Sequence, residues 1–202
     1  METLYGHQSG VTGLSCGAGE RPVSSGRDRT ARLWKVREET QLLFRGPVGC
    51  SGLDCVASLS DDWFVTGGDD NGLALWHTGS KKPRSLVSDA HGPGTDRWVT
   101  AVAALRGTDC VVSGSSDGAV RVWKADREAR KLTPAGRFDG LPGFVNGLAV
   151  ASGRFVAAAV GHEHRLGRWW RDAKAENAVV LLPLGIGGGG GADADDSSDD
   201  EE

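Results

Sequence analysis

The chain is organised as short apolar segments separated by polar or glycine-containing turns, and these segments recur between residues 11 and 184. Several alternate apolar and polar positions, as in VTGLS, LALWH and AVRVW, which is the period of a strand with one buried face. The segments are four to eight residues long, and none extends into a run with the 3.6-residue period of a long helix. The pattern therefore predicts an all-β chain.

The predicted strands fall into four groups of four. The first group contains VTGLS, PVSS, TARLWK and TQLLFR, and the second contains GLDCVASL, WFVTG, LALWH and RSLVS. The third contains WVTAVAAL, CVVSG, AVRVWK and a strand near residues 131–138. The fourth contains FVNGLAVA, RFVAAAV, RLGRWWR and AVVLLPL. Each group has the size of one small antiparallel sheet.

Tryptophan marks the third strand of every group and sets the repeat length. It occurs at intervals of 42, 47 and 46 residues, and an acidic residue stands six positions before each one. The tryptophans are Trp34, Trp76, Trp123 and Trp169, and the acids are Asp28, Asp70, Asp117 and Glu163. A period in the forties with this phrase is typical of a β-propeller of WD-type repeats. We therefore predict a WD-repeat β-propeller with blades near 6–45, 46–88, 89–138 and 139–184.

A hydrogen-bonded set of polar residues is expected to hold each blade together. In the first repeat, His7 can bridge Asp28 to Ser24, and the buried indole of Trp34 needs an acceptor. The second repeat keeps Thr66, Asp70 and Trp76 without a Gly-His pair, and the third keeps Ser113, Asp117 and Trp123. Whether His91 joins the third set is open, because the insertion HGPGTDR separates it from its strand. We interpret these residues, with Glu163 and Trp169, as structural rather than catalytic.

The number of blades bears on how much of a ring the chain contains. A ring of about seven blades needs roughly 300 residues at 40–45 per blade, whereas this chain has 202. The opening METLYGH reads as the end of an outer strand of an earlier blade. We expect four C-terminal blades of a seven-blade ring, and a closed four-blade ring is the alternative.

Charge is concentrated in the last 18 residues. The segment 185–202 contains a glycine run and then seven of the 27 acidic residues, with no lysine or arginine. The remaining residues carry 20 acids against 23 bases, although the whole chain has a net charge of −4. We predict a disordered Gly-rich acidic tail at 185–202, attached to a mildly basic propeller.

No enzyme, cofactor or metal signature stands out. Gly114–Gly118 matches the G-x-S-x-G pattern of hydrolases, but a strand rather than a helix follows it. The four cysteines show no CxxC spacing, and His162 and His164 have no second ligand pair nearby. The longest apolar stretch, 178–184, is too short to cross a bilayer. We therefore expect a non-enzyme without cofactor, metal or membrane partner.

The segment GHEHRLGRWWRD, at 161–172, is the most unusual part of the chain. On a strand, Trp169 would pack in the blade and Trp170 would point to the opposite face, beside Arg168. A tryptophan next to arginines can stack on bases or contact phosphates. The alternative is that Trp170 packs against the adjoining blade while Arg165, Arg168 and Arg171 lie on a solvated rim. Both interpretations remain open at this stage.

These residues also carry a family resemblance. The blocks GHEHRLGRWWR, LLPL, FVNGLAV, ETLYGH, KKPRSLVSDAHG and WVTAVAAL are similar to the WD-repeat subunit of the U3 small nucleolar ribonucleoprotein. The resemblance covers residues 2–184, and GHEHRLGRWWR with AHG…WV ahead of it is its most specific part.

The resemblance implies a function. It implies a nuclear, nucleolar subunit that binds the box B/C region of U3 snoRNA together with the kink-turn-binding protein and other box C/D core proteins. It also implies a role in pre-rRNA processing within the small-subunit processome. We expect Arg165, Arg168, Trp170 and Arg171 to contact RNA. The rival interpretation is a protein-only adaptor that presents peptide partners.

Overall fold

The computed structural model describes residues 3–17, 19–94, 97–151, 153–165, 167 and 170–185. The described residues form strands and no helix, so the prediction of an all-β WD-repeat propeller is confirmed. No helix in the described part of the chain is long and apolar enough to cross a membrane.

Four antiparallel sheets follow one another along the chain, and the first three have four strands each. The first sheet contains β1 (Val11–Cys16), β2 (Pro22–Gly26), β3 (Thr30–Lys35) and β4 (Thr40–Arg45). The second contains β5 (Leu53–Ser58), β6 (Trp63–Gly68), β7 (Leu73–His77) and β8 (Ser85–Val87). The third contains β9 (Val99–Ala104), β10 (Cys110–Ser115), β11 (Val120–Asp126) and β12 (Lys131–Phe138). Strands that are consecutive in the chain pair side by side in every sheet.

The fourth sheet differs from the prediction. Its strands are β13 (Phe144–Ala151), β14 (Phe155–Gly161) and β15 (Ala178–Pro183), and β15 pairs directly with β14. The predicted strand RLGRWWR is wrong, because the described residues between 162 and 177 form a loop with one isolated bridge, Glu163 to Arg171. The apolar AVVLLP run therefore takes the third-strand place.

The hydrophobic core lies between neighbouring sheets. One cluster joins the first and second sheets, where Trp76 stacks on Phe64 with ring centroids 6.0 Å apart and meets the edge of Phe44. A second cluster joins the second and third sheets and includes Trp123, and a third joins the third and fourth sheets. Each blade is thus stabilised mainly by burial against the next blade.

The first strands of the sheets surround a central channel. β1 packs against β5, β5 against β9, and β9 against β13, while β1 and β13 lie at the two ends of this series. The end sheets expose apolar side chains: Val11 and Leu14 on β1, and Val179 and Leu181 on β15, are 60–72% exposed. The described part of the propeller therefore presents two open apolar faces.

Two predictions fall on residues whose structure is not described. The acidic tail from 186 to 202 lies outside the described residues, and so do Arg168 and Trp169. Arg165, Trp170 and Arg171 are described, so the loop that carries the predicted RNA contacts can be placed in part.

Candidate nucleic-acid interface at the channel mouth

Most of the polar residues that the sequence predicts to hold the blades together or to contact RNA lie at one end of the channel. The turns between second and third strands, at 27–29, 69–72 and 116–119, lie at this end, and so do the described residues between 162 and 177. The connections between sheets, at 46–52, 88–98 and 139–143, return to the same end because the strands are antiparallel. We call this end the mouth; the turns between first and second strands lie at the opposite end.

In the first blade, four residues form a closed hydrogen-bonded set at the mouth. His7 Nδ1 lies 3.0 Å from Asp28 Oδ1, and His7 Nε2 lies 2.7 Å from Ser24 Oγ. The indole N–H of Trp34 donates to the same Ser24 Oγ at 2.8 Å. Ser24 and Trp34 are buried, so each bond replaces one that water would otherwise make.

The acid of this set is held in its ionised form. Burial raises the pKa of Asp28, but hydrogen bonds from the Thr30 side chain, the Gln8 N–H and His7 outweigh burial and lower it to about 2. The Thr30 hydroxyl donates at 2.7 Å and the Gln8 amide at 2.8 Å. The carboxylate therefore fixes the loop before β1 to the turn before β3.

The third blade repeats the arrangement, with His91 in the histidine place. His91 Nε2 lies 2.8 Å from Ser113 Oγ, Nδ1 lies 3.2 Å from Asp117 Oδ1, and the indole of Trp123 donates to Ser113 at 2.8 Å. The HGPGTDR insertion does not displace this histidine, because Asn71 Oδ1 accepts the His91 N–H at 3.0 Å. Burial lowers the pKa of His91, although its bond to Asp117 acts in the opposite direction.

The second blade has no histidine, and a cysteine lies in the corresponding space. The indole of Trp76 still donates to Thr66 at 2.9 Å, but Asp70 accepts backbone N–H bonds, from Gly72 at 3.0 Å and from its own amide, in place of a histidine. Burial outweighs these bonds and raises the pKa of Asp70, whereas at Asp28 the hydrogen bonds outweigh burial and lower the pKa. Cys50 approaches Asp69 and Asp70 closely enough for a metal ion, but burial and both carboxylates raise its thiol pKa to about 12. A protonated thiol is a poor metal ligand.

In the fourth blade, Asn146 anchors the connection that begins after β14. Its amide Nδ2 donates to the Glu163 carbonyl at 2.8 Å, and its Oδ1 accepts the Arg165 N–H at 2.9 Å. His164, between them, is buried against Trp98, with ring centroids 5.2 Å apart. Burial, Arg165 and Arg27 lower the pKa of His164 to about 4, so the ring is neutral at physiological pH.

Arg165 points into the channel rather than outward from a strand. Its guanidinium donates to the carbonyls of Thr100 and Thr12, both at 3.2 Å, and to that of Asp54 at 2.5 Å. One side chain of the fourth blade thus binds the inner strands of the other three. This geometry gives Arg165 a clamping role, and an RNA contact by the same guanidinium stays a prediction.

Trp170 lies on the mouth surface in an aromatic cluster. Its ring meets Phe144 at 5.4 Å and Trp98 at 5.9 Å, both edge to face, and 38% of the residue is exposed. Arg171, which follows it, is exposed and lines a shallow cavity with Trp170. Trp170 therefore combines the two interpretations open in the sequence: part of its ring packs against the third blade, and part faces solvent.

A larger cavity of about 450 Å³ opens at the centre of the mouth. Its charged lining consists of Arg27, Asp54, Asp69 and Asp70, with Trp98 and His164 forming the aromatic part of the wall. Burial and the charge of Asp69 raise the pKa of Asp54 to about 6, although Arg165 and Arg27 act to lower it. The mouth therefore has an acidic centre and an aromatic, arginine-containing rim at the fourth blade.

Ser116, the serine of the Gly114–Gly118 match, and the nearby Ser113 both make hydrogen bonds within the fold. Ser116 lies in the turn between β10 and β11, and its hydroxyl accepts the Trp98 N–H at 3.2 Å. Ser113 forms an Asp–His–Ser chain with His91 and Asp117, but Ser113 and His91 are fully buried. Because these two side chains are buried, a substrate could not reach them, and the hydrogen-bonded set stabilises the blade.

Sequence reasoning missed Asp54 and Trp98 at the mouth. Both carried a signal: Asp54 is an acid inside the apolar GLDCVASL strand, and Trp98 is a tryptophan that the repeat does not require. Their proximity across two blades depends on how the sheets pack, which the repeat alone does not reveal.

Comparison with known proteins assigns these features to a family. A model of the WD domain, G-beta repeat, matches residues 1–35 and 84–124. The chain is 39% identical over 199 residues to the U3 snoRNP-associated protein-like EMB2271 of Arabidopsis thaliana, covering 92% of this chain and 41% of that protein. It is 43% identical over 154 residues to U3 small nucleolar RNA-interacting protein 2 of Mus musculus, covering 73% and 32%.

A solved structure supports the same relationship. The structure of U3-55K matches with a TM-score of 0.85 and 42% identity, covering 91% of this chain and 58% of that chain. The chain thus spans about two fifths or less of the length of the two curated relatives. The binding partners of those longer proteins therefore apply to this chain only as proposals.

Proposed function

The chain belongs to the WD-repeat proteins of the U3 small nucleolar ribonucleoprotein, and we propose that it is a non-catalytic subunit of such a particle. In this proposal it binds the box B/C region of U3 snoRNA beside the kink-turn-binding protein and other box C/D core proteins. It thereby supports pre-rRNA processing by the small-subunit processome in the nucleolus. The relatives' names support the association with the U3 particle and its RNA.

The observation that carries the RNA-binding proposal is the rim formed by Trp170 and Arg171. The Trp170 indole is held by edge-to-face contacts with Phe144 and Trp98, and its exposed part is available for stacking on an unpaired base. The neighbouring Arg171 is exposed, as phosphate contact requires. We expect Arg168, two positions before Trp170 in the sequence, to act in the same way.

Arg165 has a different part in this proposal. Its bonds to three inner-strand carbonyls support a positioning role, in which it fixes the start of the loop that carries Trp170 and Arg171. Shape recognition of a kinked RNA needs such a rigid loop, because contacts to phosphates alone do not select a sequence.

The experiment is salt-titrated binding of the whole chain to a U3 snoRNA fragment that contains box B/C. Arg171→Ala should weaken binding and reduce the slope of log K against log salt by about 1, since one phosphate contact is lost. Trp170→Ala should lower affinity by about 1–3 kcal/mol with little change in slope.

Matched controls lie at the opposite end of the same sheet. Arg154 and Phe155 are exposed in the turn before β14 and at its start, so Arg154→Ala makes the same change as Arg171→Ala, and Phe155→Ala removes another exposed aromatic ring, both away from the mouth. Equal effects of Arg171→Ala and Arg154→Ala on affinity and slope would contradict the proposed interface. A fragment without box B/C tests whether binding is selective.

A further inference from the structure

Three arginines lie together on the flank of the third blade, next to the mouth. Arg121 on β11 and Arg137 on β12 are direct cross-strand partners, so their side chains leave the same face of the sheet. Arg97 comes from the connection before β9, and its Nη1 donates to the His91 carbonyl at 2.5 Å. Gly92 leaves room for this group, because a Cβ there would lie 2.9 Å from Arg97 Nη1 and 3.5 Å from Arg121 Nη2. We call the three residues the arginine cluster.

The first blade shows how the fold satisfies an arginine at the position of Arg121. Arg32 and Arg121 each stand two residues before the tryptophan of their blade. Arg32 Nη1 donates to Gln41 Oε1 at 2.7 Å, and the cross-strand partner of Arg32 is the apolar Leu43. Its Nη2 also lies 3.9 Å from Asp28 Oδ2. The Nε atoms of both arginines are buried without an acceptor, so the two blades differ at the outer Nη atoms.

Arg121 lacks the partners that the first blade provides. Pro134, which has no side-chain acceptor, stands opposite the blade tryptophan, where the first blade has the glutamine. Among the described residues, no hydrogen bond or ion pair forms at the Arg121 guanidinium. Burial lowers the pKa of Arg121, and the charges of Arg137 and Arg97 act in the same direction. Like charges directly opposite each other destabilise an antiparallel pair, so the blade is less stable with Arg121 beside Arg137.

Two carboxylates act on the charge of Arg121, and both are engaged elsewhere. Asp117 Oδ1 accepts the Ala119 N–H at 3.1 Å and is shared with the histidine of its blade. Asp139 accepts a bond from Arg137 Nε at 2.6 Å, in a pair whose two side chains are more than half exposed. An exposed ion pair of this kind contributes little stability, so another anion can replace its carboxylate. The cluster therefore offers guanidinium donors, above all those of Arg121, to an external anion.

The arginine cluster adjoins the proposed RNA rim. Arg97 directly precedes Trp98, whose ring meets that of Trp170 at 5.9 Å. Asp117, 3.9 Å from Arg97, also lines the shallow cavity that contains Trp170 and Arg171. A guanidinium matches the oxygens of a phosphate with two parallel hydrogen bonds. A strand that stacks a base on Trp170 therefore has the cluster within reach of its neighbouring phosphates.

We propose that Arg121, with Arg137 and Arg97, binds one phosphate of the RNA backbone. This inference rests on the proposed function and adds a second contact region to it, on the flank of the third blade. The phosphate supplies the acceptor that Arg121 lacks and offsets the repulsion between Arg121 and Arg137. Arg121 thus serves RNA binding while it weakens the blade, and the two effects can be measured separately.

The test is salt-titrated binding of the whole chain to the U3 snoRNA fragment that contains box B/C. Arg121→Gln should weaken binding about tenfold, since a charge-assisted hydrogen bond is lost. It should also reduce the slope of log K against log salt by about 1. Arg121→Lys keeps the charge and should retain most of the slope. In urea denaturation, the midpoint of Arg121→Gln should equal or exceed that of wild type, because the repulsion with Arg137 is relieved.

A second variant and a matched control connect the binding to the cluster. Arg137→Gln should weaken RNA binding in the same way, and this exposed side chain can be replaced if Arg121→Gln folds poorly. Arg127→Gln is the control, because Arg127 is a partly exposed arginine paired with Asp109 at the opposite end of the same sheet. It should leave both affinity and slope unchanged.

The phosphate itself is located with RNA fragments that carry one neutral methylphosphonate linkage each. At one linkage, the loss of charge should weaken binding to wild type and leave binding to Arg121→Gln unchanged. This coupling separates a direct phosphate contact from a structural effect of the substitution, since a structural effect would not depend on one linkage.

Three results would overturn the proposal. These are wild-type affinity and slope in both Arg121→Gln and Arg137→Gln, equal losses in Arg127→Gln, or the absence of any linkage coupled to Arg121. If these results appear while Arg171→Ala still weakens binding, only this inference fails; a wild-type chain that does not bind the fragment refutes the proposed function as well. Binding of hexaglutamate to wild type but not to Arg121→Gln, with unchanged RNA affinity, would assign the cluster to an acidic protein segment instead.

Discussion

The contrast between the first and second blades makes a quantitative prediction about two equivalent aspartates. Asp28 accepts bonds from His7, the Gln8 N–H and both the amide and hydroxyl of Thr30. Asp70 accepts backbone N–H bonds from Gly72 and from its own amide. We expect Asp28→Ala to cost about 2–3 kcal/mol of unfolding free energy and Asp70→Ala about 1 kcal/mol or less.

The dependence on pH follows from the direction of the two pKa shifts. The pKa of Asp28 is lowered from 3.8 to about 2 in the folded chain, which corresponds to about 2 kcal/mol favouring the ionised form. Because the folded value is depressed, this stabilisation is complete above about pH 5 and is lost as the pH falls towards 2. The pKa of Asp70 is raised instead, so its ionisation destabilises the folded chain as the pH increases through the unfolded value.

The assay is urea denaturation at pH 7, followed by far-UV circular dichroism and tryptophan fluorescence. Coincident transitions from the two probes are needed before a free energy is extracted. Thermal melting at pH 3 should show a smaller difference between wild type and Asp28→Ala than at pH 7. Equal costs of Asp28→Ala and Asp70→Ala at pH 7 would refute the reasoning that the histidine-containing set stabilises the blade.

Three further predictions follow from the same structure. In urea denaturation, Ser113→Ala should cost about 1 kcal/mol more unfolding free energy than Thr66→Val. The reason is that Ser113→Ala removes a buried hydrogen-bond partner from both His91 and Trp123, whereas Thr66→Val removes one only from Trp76. Arg165→Met should lower the melting temperature and increase amide exchange in residues 162–177, and unchanged exchange there would count against the clamp. The exposed apolar faces of the end sheets should cause concentration-dependent association in sedimentation velocity; they contain Val11, Leu14, Val179 and Leu181. The double variant Leu14→Glu, Leu181→Glu should reduce this association. A wild-type chain that stays monomeric at every concentration would contradict the prediction.

The strands and the repeat could be predicted from the sequence, because local rules of strand and turn formation determine them. Alternation in segments such as LALWH and AVRVW indicated strands, and the interval from Trp34 to Trp76 and onward indicated one sheet per repeat. These features depend on residues close together in the chain, so a single sequence contains them. The same rule misassigned RLGRWWR, since alternation there competes with AVVLLP, whose apolar side chains pack better as the strand beside β14.

Other features required the packing of the sheets. His91 reaches Asp117 across 26 residues because Asn71 holds the intervening loop, and Arg165 reaches Thr12 across 153 residues. Asp54, Trp98 and His164 come from three blades and meet only because the inner strands surround one channel. The sequence by itself determined the fold class, the repeat and the residues that each blade needs. Only the tertiary structure decided which polar side chains meet at the mouth, because distances between blades depend on how whole sheets pack against one another.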